Sequence, residues 1–412
     1  MQVAIIESHA KSIFFLVVVG ALAAAAPPTD LMAKPPRGST VNYEIIQLSN
    51  RLGMVRAINS SGEMVGFLEV GGIQTATNWQ LTSSGVAESK LSLSFFEGDD
   101  HSLRSGSADG INDQGIIVGT IEDASTGYVE ILPVCWINRT SLPQILSYDP
   151  SIPAEMYVRG SAFSVCNTPS LAAGLKAVIV GHYVEYPEGA IENKPAITHA
   201  VAWAISDSGS IALPLELAVF PSVAGNEYRT VAIDINARLT VVGSVGDQAV
   251  RWQLSWNGNS LTVISTTVLF PNLSWSNSRA INENGDICGE RANYSTPYLL
   301  KSVNGALVEQ TLTTPSFSGS EYYKPYGARA LNDLATPQVV GASSVFDSRS
   351  KILNRTVELL WQGTMVYDLE RVTPSNTIEP DYMTSVNNQG WLAGQGWVSA
   401  QALRVPVVLK RQ

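Results

Sequence analysis

Histidine, cysteine and charge are scarce in this chain, and each shortage removes a class of function. Only four histidines stand in 412 residues, and His9 falls in a leader-like segment. The remaining His101, His182 and His199 are scattered without metal-ligand spacing, so no metal is expected. His199, one residue before Ala200 in an expected strand, reads as a satisfied structural histidine rather than a ligand. Three cysteines are too few, and odd in number, for a disulfide framework. Charged residues make up 15% of the chain, acidic ones exceed basic ones by 36 to 26, and no stripe of Lys and Arg is present. Nucleic acid is therefore not an expected partner. Neither a Gly-x-Ser-x-Gly elbow nor a phosphate-cradling loop with Lys is present, so no cofactor is expected.

Long apolar runs are also missing, with one exception. Lys11 precedes Ile13 to Val19, and the run continues through Gly20 and Leu22 into Ala23 to Ala26. This layout is that of a secretory signal peptide, expected over residues 1–25, with an uncleaved anchor as the alternative. Its removal takes one charge of each sign, Glu7 and Lys11, and leaves the net charge at −10. No Cys follows to carry a lipid, and no second run is long enough to span a bilayer. Residues 26–40, rich in proline and polar groups, read as a linker, and residues 41–412 as a single domain.

What the chain does have is a repeat. An apolar residue, Asn, a few polar residues, two β-formers and Gly recur seven times: from Asn59 to Gly66, Asn112 to Gly119, Asn167 to Gly181, Asn236 to Gly243, Asn282 to Gly289, Asn332 to Gly341 and Asn387 to Gly394. Five of the seven copies have the same spacing, and the other two carry seven and two extra residues, as insertions at a hairpin tip would. Successive glycines are 53, 62, 62, 46, 52 and 53 residues apart, which is the length of a propeller blade. The Asn side chain can bond the backbone two residues on. Gly62, Gly115, Gly285 and Gly390 supply the positive φ of a tight turn. Leu239 stands where the fourth copy needs that glycine, so its turn is expected to be built differently.

A further strand follows each hairpin and ends in Trp79, Trp136, Trp203, Trp252 or Trp361, with Leu299 and Val405 in the other two copies. A fourth strand follows most of these, as Leu261 to Val268 does. The expected fold is all-β, a seven-bladed β-propeller of four-stranded antiparallel blades. The last unit lacks its fourth strand, and Asn42 to Leu48 is a spare one, able to complete the last blade and hide two edges. Cys135, Cys166 and Cys288 occupy positions that are apolar in sister repeats, so buried free thiols are expected, with a Cys135–Cys166 bridge as the alternative.

The Ala-Ile-Asn, Gly and Val-Gly hairpin followed by Ala-x-x-Trp resembles the HAF repeat of predicted extracellular bacterial proteins, from Tyr43 to Leu409. The resemblance implies secreted β-propeller material and adds little on chemistry. Some relatives carry a C-terminal sorting helix, and the ending Leu409-Lys410-Arg411-Gln412 implies release from the cell or into the periplasm instead. The regulator-of-chromosome-condensation repeat is similar through Asn-x-x-Gly, but its Trp-Gly and recurring His are missing.

Candidate site residues fall into three groups. The turn residues Asn59, Asn112, Asn167, Asn236, Asn282, Asn332 and Asn387 are read as structural, and Asn282 to Asp286 is too short for a calcium loop. Segments leading into the hairpins carry Tyr157, Tyr228, Trp275, Tyr322, Tyr323 and Tyr382, rigid amphipathic groups suited to a glycan, peptide or protein if gathered at one rim. The competing reading is solvated loop residues with Tyr packed over the blades. Three residues before the turn Asn stand Arg56, Asp109, Ser164, Arg279, Arg329 and Thr384; a channel-facing strand would let the three arginines meet an anion. The leading functional reading is an exported non-catalytic binding scaffold. Its alternative is a hydrolase or lyase of extracellular polysaccharide using mouth carboxylates such as Asp99, Asp100 and Asp109.

Overall fold

The computed structural model describes residues 41–412 apart from 96–103, 125–128, 149–156, 169–171, 187–195, 218–228, 293–295, 316–320, 349, 351–352 and 374–376. The expected signal peptide and linker, His101, Asp99, Asp100 and Tyr228 lie outside the described residues. Alternating buried and exposed positions produce strands throughout, and these form seven four-stranded antiparallel sheets. Six sheets are consecutive in sequence, and the seventh recruits Tyr43–Gln47 alongside Leu403–Arg411. The innermost strands of blades 1 to 7 are Gly53–Ile58, Arg104–Ile111, Tyr157–Val165, Thr230–Ile235, Ser276–Ile281, Glu321–Leu331 and Glu379–Val386. Each touches the next, and the last touches the first, so the sheets close into a seven-bladed β-propeller. Pairing of Tyr43 with Arg411 and of Gln47 with Val407 joins the two ends of the chain and removes two open edges.

One irregularity is repeated in all seven inner strands. The third residue before the turn is left out of the pairing: Arg56, Asp109, Phe163, Ile233, Arg279, Arg329 and Thr384. Such a bulge pushes the preceding backbone toward the neighbouring strand. A β-carbon on Gly66, Gly119, Gly181, Gly243, Gly289, Gly341 or Gly394 would overlap the carbonyl oxygen of Met54, Ser107, Ser161, Val231, Asn277, Gly327 or Tyr382. The glycine that ends each repeat is thus required by the bulge opposite it, at a position remote from the turn.

The five tryptophans of the third strands are wholly buried between blades. The indole N–H groups of Trp136, Trp203 and Trp361 donate to the carbonyls of Ser92, Ser147 and Thr313 at 2.8, 2.8 and 2.7 Å, each tying a blade to the segment that leads into it. Cys135, Cys166 and Cys288 are free and buried. Burial alone pushes the Cys135 thiol up to about 12.

Candidate functional site

The turns at the ends of the inner strands meet around one mouth of the central channel, and their asparagines do two jobs. The amide oxygen of Asn59 accepts from the N–H of Ser61 and Glu63 at 3.1 and 2.9 Å, closing its own turn. Its amide nitrogen donates across the seam to the carbonyl of Asn112 at 3.2 Å. The same link runs from Asn112 to Cys166, Asn236 to Asn282, Asn282 to Asn332, Asn332 to Asn387 and Asn387 back to Asn59, at 2.9 to 3.1 Å. Aspartate could close the turn but has no proton to donate, which explains why the repeat uses Asn. A second ring, one residue further on, has Ser60, Asp113, Glu283 and Asp333 donating backbone N–H groups to side chains of Asp113, Asn167, Asp333 and Asn388 at 2.7 to 2.9 Å.

The turn geometry corrects three sequence readings. Asn167 is not the turn residue of blade 3, because it sits in the second ring, and the place in the first is taken by Cys166. The Cys166 N–H bonds the Val178 carbonyl at 3.0 Å, as the Asn59 N–H bonds Glu63 at 3.0 Å, and the Val178 N–H points at its sulfur at 3.2 Å. The channel position of blade 3 is accordingly Phe163 rather than Ser164. Leu239, expected to demand a different turn, instead adopts the glycine conformation itself, with φ 59 and an N–H bond to the Asn236 carbonyl at 3.0 Å. Its side chain is buried in the core, and that burial offsets the left-handed backbone.

Cys166 has no amide to donate, so the ladder is interrupted between blades 3 and 4. Asp234 spans the gap instead. Its carboxylate accepts from the Ser164 hydroxyl at 2.6 Å in blade 3, from its neighbour Ile235 N–H at 2.9 Å, and from the Ile281 N–H at 2.8 Å in blade 5. Burial pushes its pKa up to about 6, against the pull of those hydrogen bonds.

At the bulges, the arginines are matched by carboxylates. Arg279 bonds Glu290 through Nε at 3.0 Å and through Nη2 at 2.5 Å. Arg329 grips Glu358 with both terminal nitrogens at 2.7 and 3.0 Å and also donates to the Met383 carbonyl at 2.9 Å. Arg56 lies 3.7 Å from Asp109, whose pKa is raised by burial in spite of Arg56 and the Ser107 hydroxyl. An anion would have to displace these partners, so the arginines form no free cationic ring. Glu358 was legible in principle. It stands at the first position of the Ala-x-x-Trp pattern, where sister repeats put Ala76, Ala200 and Ala249, and a fully buried carboxylate needs a cation.

Because the turns converge at one mouth, the starts of the inner strands gather at the other. Tyr322 is 38% exposed there and stacks on Phe346 with ring centroids 5.2 Å apart. Tyr382, in the next blade, is 39% exposed and lies under the Arg329 guanidinium at 4.1 Å. Trp275 is half-buried at the start of blade 5, where its carbonyl accepts from Ala292 N–H at 3.1 Å. Tyr323 does not belong to this rim. Strand alternation turns it inward, where it is buried and its hydroxyl donates to Asp368 at 2.9 Å. Tyr157 opens the inner strand of blade 3, paired with Tyr186. Below Tyr322 a network that sequence reading missed has Arg355 and Arg371 shared among Glu321, Asp368 and Glu370. Burial and the nearby Asp368 push Glu370 up to about 7, against the pull of Arg355. Among the described residues, no three His, Cys, Asp or Glu side chains are placed to hold a metal ion, and no helix is long and apolar enough to cross a membrane.

The chain matches no family model, and no curated protein resembles it in sequence. Solved structures of similar fold include Sqt1 of Saccharomyces cerevisiae, 10% identical over 89% of this chain and 88% of that one, with a TM-score of 0.38. The C-terminal WD40 domain of Sif2 is 11% identical over 89% and 98%, with a TM-score of 0.40. A Trypanosoma rangeli sialidase is 13% identical over 80% of this chain and 57% of its own length, with a TM-score of 0.38. At these identities and scores the likenesses add nothing to what the strand order already shows.

Proposed function

We propose that the protein is an exported, non-catalytic propeller that binds a glycan, peptide or protein partner at the mouth opposite the asparagine ring. One observation carries the reading: two aromatic rings in adjacent blades, Tyr322 and Tyr382, are more than a third exposed while each is already held from behind, by Phe346 and by Arg329. A ring that is exposed yet fixed offers contact area with little ordering cost on binding. Export rests on the N-terminal pattern and on the likeness of the repeat to HAF repeats; the mature protein then works outside the cytoplasm or in the periplasm.

The test is a glycan and peptide array probed with the protein and with Tyr322→Ala and Tyr382→Ala. Each substitution is expected to weaken binding by about 1–2 kcal/mol, roughly 5- to 30-fold. Binding that survives both substitutions unchanged would remove this mouth as the site.

A further inference from the structure

Blades 2 and 3 have the shortest outer strands of the disc, Gln144–Ile145 and Leu215–Glu216. Each is held by two paired residues and one further amide, Leu146 N–H to the Pro133 carbonyl and Leu217 N–H to the Ala200 carbonyl, both at 2.9 Å; in blade 3 a second attachment lies upstream, Ala212 N–H to the Ala204 carbonyl at 2.9 Å. The strap of blade 2 carries no titratable group. That of blade 3 carries Glu216, whose carboxylate lies 2.7 Å from Nδ1 of His199. On the other side of the same ring, Nε2 lies 3.2 Å from Glu185 in a charge contact that is not aligned as a hydrogen bond.

The imidazole is fixed in this position. It lies flat on Tyr183, ring centroids 4.5 Å apart and 17° from parallel, and Tyr183 is braced edge-on by Tyr148 at 6.1 Å. From blade 4, Arg229 bridges the backbone of Thr198, and the Thr230 hydroxyl donates to the Thr198 carbonyl at 2.8 Å. Only a ring with protons on both nitrogens can face two carboxylates favourably, because the neutral form turns a lone pair toward one of them. Glu216 is the more exposed of the two, so it is the one that can swing into water.

We propose that His199 is a proton-operated clasp, with Glu185 and Glu216 as its jaws, which holds the outer strand of blade 3 on the sheet and releases it when the proton is lost. Burial works against charging His199, but the hydrogen bond and charge of Glu216, joined by Glu185, outweigh it and raise its pKa above the ordinary 6.5. A histidine whose folded pKa is raised contributes its stability below the unfolded value and loses it as pH climbs through the folded one. The clasp is therefore closed in acid and opens toward alkaline pH. Opening uncovers the edge of Ile197–Ser206, a backbone row able to accept another strand.

Amide hydrogen exchange on the full protein, from about pH 5.5 to about pH 9 and corrected for the intrinsic rate, tests this against an internal control. Protection of the Leu217 amide is expected to fall about tenfold, while that of Leu146 in blade 2 stays level. His199→Gln is expected to leave Leu217 weakly protected at every pH, and Glu216→Gln to do the same with His199 intact. Equal pH profiles at Leu217 and Leu146, or a Leu217 profile that persists in His199→Gln, would overturn the clasp.

Discussion

The seam between blades 3 and 4 and the other six seams meet the same requirement with different chemistry. Six seams are crossed by an asparagine amide that is neutral at every pH and satisfies its own turn at the same time. At the seventh, Cys166 removes the donor, and a carboxylate, Asp234, reaches from blade 4 to its neighbours on both sides. The difference shows that closure of the disc does not depend on one residue type. What it needs is a satisfied polar bridge wherever buried backbone groups would otherwise lose one. It also rests the first-ring bridge of one seam on a titratable carboxyl, where the other six use a neutral amide.

Four measurements by urea denaturation put that contrast to the test. The largest effect is expected from what both kinds of seam share: Gly119→Ala and Gly181→Ala should each cost roughly 3 kcal/mol or more, because the obstructing atom is a backbone carbonyl that cannot step aside. Unequal losses would show that the bulge is not the common element. Next, Asn282→Ala should cost about 2–3 kcal/mol by stranding a buried turn N–H and a buried carbonyl, whereas Asn167→Ala, outside the first ring, should cost about 1 kcal/mol or less.

Asp234 supplies the pH test. A carboxyl whose folded pKa is raised to about 6 binds its proton more tightly when folded than unfolded, so stability falls as pH rises from about 4 to about 6 and is level above that. Asp234→Asn should remove a slope on the order of 2 kcal/mol over that window. An unchanged slope would assign it to the other carboxyls that burial raises, Glu370, Asp109 and Glu358 among them. The smallest effect, and the only gain, is expected from Cys166→Asn, which completes the ladder to the Asn236 carbonyl and should add about 0.5–1.5 kcal/mol.

Much of the architecture was legible in the sequence because its cause is local. Asn and Gly at fixed spacing make a turn wherever they occur, and the surplus strand at Tyr43 matches the deficit after Leu409 by simple count. The rim was legible only in part. Tyr322 and Tyr323 are adjacent and chemically alike, yet one is exposed and the other buried on Asp368, and composition carries no record of which face a strand presents. Likewise the arginines at the bulges were visible, but Glu290 and Glu358 come from other strands, so their neutralising role had no signature in the motif itself.

The number of blades, the hairpin that opens each one and the strand that closes the disc follow from the order of residues alone, because turn chemistry and strand alternation act over a few residues. It took the packed blades to make the asparagines bond one another across seams, the terminal glycines answer a bulge, Cys166 rather than Asn167 occupy the first ring, and His199 sit between two glutamates. The seam bonds join residues roughly 50 apart in sequence and exist only once the disc is closed, while the bulge and His199 contacts depend on how neighbouring strands of one sheet pair.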